Sequence, residues 1–247
     1  MEFNKRNRFN FEDDLLGEQA INKFLVDFLY KKFKEKGYVI DFEVSRELNK
    51  QHAGSDTILT LKNGKKIVID EKAAIHYAKT NLKEKAMPTF AFEVSYMYNG
   101  QLKEGWLTNP KYHTTQRYLL CWLWVQAGTN KSRLKYHDIV QIEAMFFEKA
   151  DIQEYIINIV TADTDIVKFH TVASAKRESL EKQILHGAFD SVNESIGYKE
   201  YPKWYLTGRN ILSEQPLNII LYRNQLEDLA TSHWLVTRKE LINLDKK

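Results

Sequence analysis

Two short runs of alternating residues, Thr57-Ile-Leu-Thr-Leu and Lys66-Ile-Val-Ile-Asp, stand on either side of Asn63-Gly64. Period-two alternation about an Asn-Gly pair predicts a β-hairpin, because Asn and Gly accept the positive φ that tight turns require. The ends of this hairpin are what constrain the chain most. Asp56 begins the first run, and Asp70, Glu71 and Lys72 close the second. Strand ends ordinarily shed charge into solvent. Acidic groups gathered at the far end of a hairpin, with a lysine two residues on, point to a site for a divalent cation and a phosphate.

Register decides whether those charges meet. With a two-residue turn at Asn63-Gly64, Lys62 pairs with Lys65 and Asp56 faces Glu71, so Asp56 and Asp70 fall on opposite faces. With a three-residue loop, Lys62-Asn63-Gly64, and Gly64 left-handed in a glycine bulge, Leu61 pairs with Lys65 and Asp56 lies opposite Asp70. Lys72 then shares their face. A metal site requires the second arrangement or an equivalent bulge.

A helix is expected ahead of the hairpin, from about Asp13 to Lys36. Ile21, Phe24, Leu25, Phe28, Leu29 and Phe33 recur at spacings of three and four, and Gly37 supplies a C-terminal cap. Glu18, three positions before Ile21, is expected to point along the same buried stripe; a helix-start acid favoured by the dipole is the plainer alternative. Tyr38 to Val44 reads as a strand. Residues 73 to 88 read as a loop or short helix. Thr89 to Met97 and Gln101 to Leu107 read as a second hairpin about Asn99-Gly100. Thr114 to Val125 is ambiguous between buried helix and strand, with strand favoured, and His137 to Phe147 reads as a strand. A short helix is expected over Asp151 to Val160, and a strand over Asp165 to Val172 before a polar helix. The aromatic segment 187 to 215 reads as an irregular loop, Leu217 to Tyr222 as a strand and Asn224 to Ala230 as a helix. Thr237-Arg-Lys-Glu has the spacing of a capping box for a last helix.

Helix, three-strand meander, and an acid pair with lysine on the second and third strands: this order resembles the PD-(D/E)XK, or restriction endonuclease-like, nuclease superfamily. That core is a helix, a three-strand meander and a further helix and strand. The matching residues are Asp56, Asp70 and Lys72, with Glu18 where many members carry a helical glutamate. The resemblance covers roughly residues 13 to 72, under a third of the 247-residue chain. Ser55 stands where many members have proline. The resemblance implies a mixed α/β (α+β) fold with a central mixed sheet flanked by helices. It divides the chain into a nuclease-like core over 1–160 and a C-terminal elaboration over 161–247 packed on the same domain. It also implies a Mg²⁺-dependent deoxyribonuclease, with Mn²⁺ as substitute, whose partner is DNA and which dimerises to cut both strands.

The chemistry of the residues agrees. Phosphodiester hydrolysis needs a water made nucleophilic at neutral pH and stabilisation of charge on the phosphoryl oxygens. Asp56, Asp70, the backbone carbonyl of Glu71 and Glu18 are hard oxygen donors suited to Mg²⁺. Lys72 cannot ligate a cation; its ammonium would orient water and phosphate, and a pKa lowered by desolvation would let it move a proton. The Glu71 side chain is expected on the opposite face, outside the chemistry. A surface salt bridge between Asp70 or Asp56 and Lys72 is the plainer alternative. Two other functions fit the same residues: an inactive nucleic-acid-binding or assembly protein on this scaffold, and a metal-dependent enzyme acting on another phosphorylated substrate.

The remaining signals are weaker. Glu93 either flanks the site or faces solvent. His52 and His76 either approach phosphates or are polar surface. Lys199, Tyr201, Lys203, Trp204 and Arg209 either contact nucleic acid or pack on the core. The basic clusters at 5–8, 31–36 and 79–85 are solvated faces on the simplest reading, and a net charge of +3 is too small to decide on a nucleic-acid partner. Cys121 is the single cysteine, which excludes an internal disulfide and a multi-cysteine zinc site; its apolar neighbours make it a core residue. No signal peptide opens the sequence and no apolar run reaches membrane-spanning length, so a cytoplasmic setting without a membrane partner is expected.

Overall fold

The computed structural model describes residues 11–45, 54–197, 201–209 and 211–245. Helices and strands mix in an α+β fold with two sheets. The chain divides into two compact units, one of Met1–Met87, His113–Lys149 and Ala230–Lys247, the other of Pro88–Tyr112 and Ala150–Leu229. The expected boundary at 160 therefore does not coincide with the division by contacts. Sheet pairing, not chain order, sets the units, and the last strands return to the first one.

The first unit is a helix on a seven-stranded sheet. Helix α1 runs Phe11–Leu25, passes through a π-helical turn, Val26–Tyr30, and ends as Lys31–Glu35. Its end has the form the sequence suggests: Gly37 takes φ +68° and Tyr38 donates its N–H back to the Phe33 carbonyl at 2.8 Å. The strands are β1 (Asp41–Val44), β2 (Thr57–Thr60), β3 (Lys66–Ala73), β6 (Arg117–Val125), β7 (Ile139–Glu148), β11 (Ser232–Thr237) and β12 (Leu241–Asn243), in that order across the sheet. Among the described strands of this sheet, β3 and β6 pair in parallel and the other neighbours pair antiparallel.

Ile21, Phe24, Leu25, Leu29 and Phe33 of α1 are buried in one cluster with Ile67, Ile69, Leu119, Cys121, Leu123, Ile142, Ala144 and Phe146 of the sheet. Each buried aromatic or aliphatic side chain contributes roughly 1.5–3 kcal/mol. The π-helical turn shifts the buried stripe. Phe28 is half-buried, whereas Tyr30, off the 3.6-residue pattern, is wholly buried.

The second unit is an antiparallel sheet in the order β5 (Gln101–Glu104), β4 (Thr89–Tyr98), β10 (Leu217–Tyr222), β9 (Lys203–Thr207), β8 (Ser191–Ser195). Its helices are α2 (Lys149–Thr161), which starts at the last residue of the first unit, α3 (Ile166–Gly187) and α4 (Arg223–Leu229). The expected β4–β5 hairpin turns through Asn99 and Gly100, both at positive φ.

Three expectations fail. The segment 165 to 172 is helical: Asp165 accepts the N–H groups of Val167 and Lys168 and caps α3, so the β-branched residues after it are helix, not strand. The segment 187 to 215 holds β8 and β9. Thr237-Arg-Lys-Glu closes a hairpin: the Thr237 hydroxyl accepts the N–H groups of Lys239 and Glu240, a cap-like turn that leads into β12. The core order also departs from the resemblance, since among the described residues the crossover from β3 to β6 carries strands and 3₁₀ turns but no α-helix.

Candidate functional site

The hairpin has the register that a shared site requires. Thr57 pairs with Ile69 and Thr60 with Lys66, and Leu61 donates its N–H to the Lys65 carbonyl at 2.9 Å. The loop is thus Lys62-Asn63-Gly64, with Gly64 at φ +79°. Asp56 donates its N–H to the Ile69 carbonyl, on the residue that Thr57 already faces, so the ladder ends in a bulge at Asp56. The two residues before it are held in place, with the Thr115 hydroxyl donating to the Gly54 carbonyl at 2.6 Å and Ser45 and Ser55 sharing a hydroxyl bond.

Asp56 and Asp70 come together beside Lys72. Asp70 is 1% exposed; its Oδ1 accepts from the Lys72 ammonium at 2.7 Å, and its Oδ2 is buried without a hydrogen-bond partner. Asp56 Oδ2 accepts the backbone N–H of Glu71 at 2.7 Å. Burial first, then the charges of Asp70 and Glu71, push the Asp56 carboxyl from the ordinary 3.8 to about 8.

Lys72 departs from expectation. Burial works against its charge, but Asp70, Asp56 and Glu18 outweigh burial and hold its pKa above the ordinary lysine value. The expectation of a lowered Lys72 pKa is corrected: with the Asp70 carboxylate bonded to it, the ammonium is a fixed cation. Glu18 is exposed rather than buried along the helix stripe, yet its charge acts on Lys72, which puts it beside the site.

Glu71 points the other way, as its place between Asp70 and Lys72 requires. Its carboxylate accepts from Tyr30 Oη at 2.7 Å, Thr57 Oγ1 at 2.9 Å and Asn22 Nδ2 at 3.1 Å. Even so, burial raises its pKa. Two of these three donors adjoin a site residue, since Thr57 follows Asp56 and Asn22 lies one helical turn after Glu18; Tyr30 sits in the π-helical turn. This socket ties α1 to the hairpin. None of its donors was legible as such; the one available signal was an acid inside an apolar β-run, which needs partners on the helix face.

A further lysine, Lys149, was also missed. It is buried at 8% exposure, and the Asp70 charge acts on it.

No protein-family model, curated protein or solved structure matches this chain. The site rests on its own geometry.

Among the described residues no three His, Cys, Asp and Glu side chains group to hold a metal ion. A cation here would have two carboxylates, Asp56 and Asp70. An orphaned, buried carboxylate oxygen and a second carboxyl driven upward beside it form a donor pair that suits a hard divalent ion.

Glu93 stands on β4 of the second unit, where its charge acts on Arg177. His76 is exposed, and its carbonyl accepts from Lys131. His52 and Lys199 lie outside the described residues. Trp204 is buried in the second unit's core, and Tyr201 packs on Tyr222 under the Lys203 ammonium. Among the described residues no helix is long and apolar enough to cross a membrane.

Proposed function

We propose that this chain is a divalent-metal-dependent nuclease that hydrolyses DNA phosphodiester bonds, similar to the PD-(D/E)XK superfamily. One observation carries the reading: beyond the bulge that ends the ladder, the Asp56 carboxyl accepts the Glu71 N–H within reach of the Asp70 charge, and Lys72 is bonded to Asp70. Asp56, Asp70 and the Glu71 carbonyl would hold Mg²⁺ or Mn²⁺, with Glu18 on a second ion or a metal-bound water. Such an ion supplies an acidified water and neutralises charge on the phosphoryl oxygens. Lys72, held cationic, orients the scissile phosphate and the attacking water as a point charge. The Glu71 socket fixes the strand between Asp70 and Lys72, which limits misplacement of the reacting groups.

The test is incubation of the purified chain with plasmid and with single-stranded DNA in Mg²⁺, Mn²⁺ or EDTA, beside Asp70→Ala and Lys72→Ala. Cleavage is expected with either metal, none in EDTA, and a loss of at least about a hundredfold in each variant. Cleavage that persists in EDTA or in both variants would sink the site assignment. One observation favours a second reading, an inactive nucleic-acid-binding scaffold: the Lys72–Asp70 ion pair already satisfies one carboxylate oxygen. Wild-type binding without cleavage would select it.

A further inference from the structure

The loops that leave the carboxyl ends of the parallel pair β3 and β6 concentrate positive charge. Residues 74–88 follow β3 and residues 126–138 follow β6. Together they hold six Lys and Arg against two acids, a larger excess than the +3 of the whole chain. The excess is local, gathered on two neighbouring loops.

The loop after β3 has a fixed course. It turns through Ile75–Tyr77 and returns to the sheet at Lys79, which donates its N–H to the Leu123 carbonyl at 2.8 Å and accepts that of Val125 at 2.8 Å. Asn81 then closes a tight turn. Its carboxamide oxygen accepts the Lys83 N–H at 3.0 Å, and its backbone carbonyl accepts the Glu84 N–H at 3.1 Å. The Trp124 indole donates to the Glu84 carbonyl at 3.1 Å and so fastens the turn to β6.

Trp124 decides which face the turn occupies. Leu123 and Val125 are buried in the cluster with α1, as is Ile69, so Trp124 and Asp70 alternate to the other face. Lys72 pairs with Leu120, which puts Trp124 four residues farther along the strands, about 13 Å by strand rise. The turn thus lies on the Asp70 face, past Lys72 in the direction that β3 runs.

Its own loop does not neutralise it. Glu84 is the only carboxylate in 74–88, and Lys79 holds it at 3.2 Å. Lys83 and Lys85 are exposed, and Leu82 at the tip is 56% exposed, so the turn projects into solvent. From the other loop the Lys131 ammonium reaches the His76 carbonyl at 3.4 Å, which joins the two loops in one basic edge. Solubility asks only for charge anywhere on a surface. Cations on an anchored turn, in line with Lys72, suit a polyanion that passes over the site.

We propose that this basic edge binds the DNA backbone to one side of the scissile phosphate, with Lys83 and Lys85 donating to phosphate oxygens. The proposal rests on the nuclease reading and adds the direction in which the nucleic acid leaves the site.

The experiment uses the full chain as wild type, as Lys83→Gln with Lys85→Gln, and as Lys83→Glu with Lys85→Glu. A control, Lys62→Gln with Lys65→Gln, removes the same charge from the exposed loop at the far end of the hairpin. Binding of a short fluorescein-labelled duplex is titrated in Ca²⁺ across a salt series, and steady-state cleavage is measured in Mg²⁺. The Gln pair at 83 and 85 is expected to weaken binding about tenfold, to flatten the slope of log affinity against log salt by about two, and to raise KM more than it lowers kcat. The Glu pair should weaken binding further. Melting temperatures should stay near wild type, since both positions are exposed, and the control should keep the slope and KM. An unchanged slope in the Gln and Glu pairs, or an equal loss in the control, overturns the basic edge and leaves the nuclease reading standing wherever the wild type cleaves. A wild type that binds without cleaving, with the slope lost only in the pairs at 83 and 85, overturns the nuclease reading and keeps the edge as a DNA contact. A wild type that neither binds nor cleaves overturns both.

Discussion

Asp56 is the residue whose ionisation the fold changes most visibly. In the native chain it keeps its proton to about pH 8, whereas the unfolded chain releases it near the ordinary 3.8. Between those values the native state holds more protons than the unfolded one, so stability falls as pH rises through the window, by at most about 1.4 kcal/mol per pH unit. Glu71, also raised by burial, acts in the same direction. Melting temperatures in EDTA should therefore decline from pH 5 to 8 and decline less in Asp56→Asn; a flat wild-type curve would mean that Asp56 is ionised throughout. A second residue-scale expectation concerns Tyr30, whose hydroxyl is buried against Glu71. Tyr30→Phe should lower stability by about 2 kcal/mol in urea denaturation, the cost of removing a buried bond to an acid. Loss of no more than a few tenths would show that Thr57 and Asn22 suffice.

At the scale of elements, the β2–β3 hairpin carries the site because Leu61, not Lys62, pairs with Lys65. Deleting Lys62 should leave Leu61 opposite Lys65 across a two-residue Asn-Gly turn, with the ladder register toward Asp56 unchanged. The expected outcome is a folded protein by circular dichroism that still cleaves; cleavage reduced to background would show that the third loop residue, and not the register alone, holds the site. The hairpin, its charged ends and the condition that joins them were legible in the sequence, since period two and an Asn-Gly pair are local properties. The π-helical turn was not. It changes the helical period over five residues and brings Tyr30 to the buried face, which a 3.6-residue pattern assigns elsewhere. The segments 165–172 and 237–240 misled for a related reason. A single capping side chain, Asp165 or Thr237, sets the local structure against the apparent pattern around it.

For the whole molecule, the C-terminal strands matter more than a terminal elaboration would. β11 pairs with β7 along six residues and places Trp234 and Val236 in the core beneath α1. A chain ending at Leu229 should lack a cooperative thermal transition for the first unit, because β7 would become an exposed apolar edge. Near-ultraviolet dichroism on heating checks this, and a retained sharp transition would show that the five strands β1, β2, β3, β6 and β7 suffice. The boundary expected at 160 missed this dependence because pairing between distant strands leaves no mark in composition at a linker.

The sequence by itself determined the hairpin, the helix before it, the apolar place of Cys121 and the identities of Asp56, Asp70, Lys72 and Glu18 as chemically suited residues, because periodicity, turn chemistry and residue type are properties of short stretches. Only the tertiary structure decided that Asp56 comes within reach of the Asp70 charge, that Lys72 is a fixed cation and that Glu71 is a clamp on α1. Each of those depends on a ladder register or on burial beside a distant segment. Sheet pairing joins residues by level and face, and sequence separation carries almost no record of either.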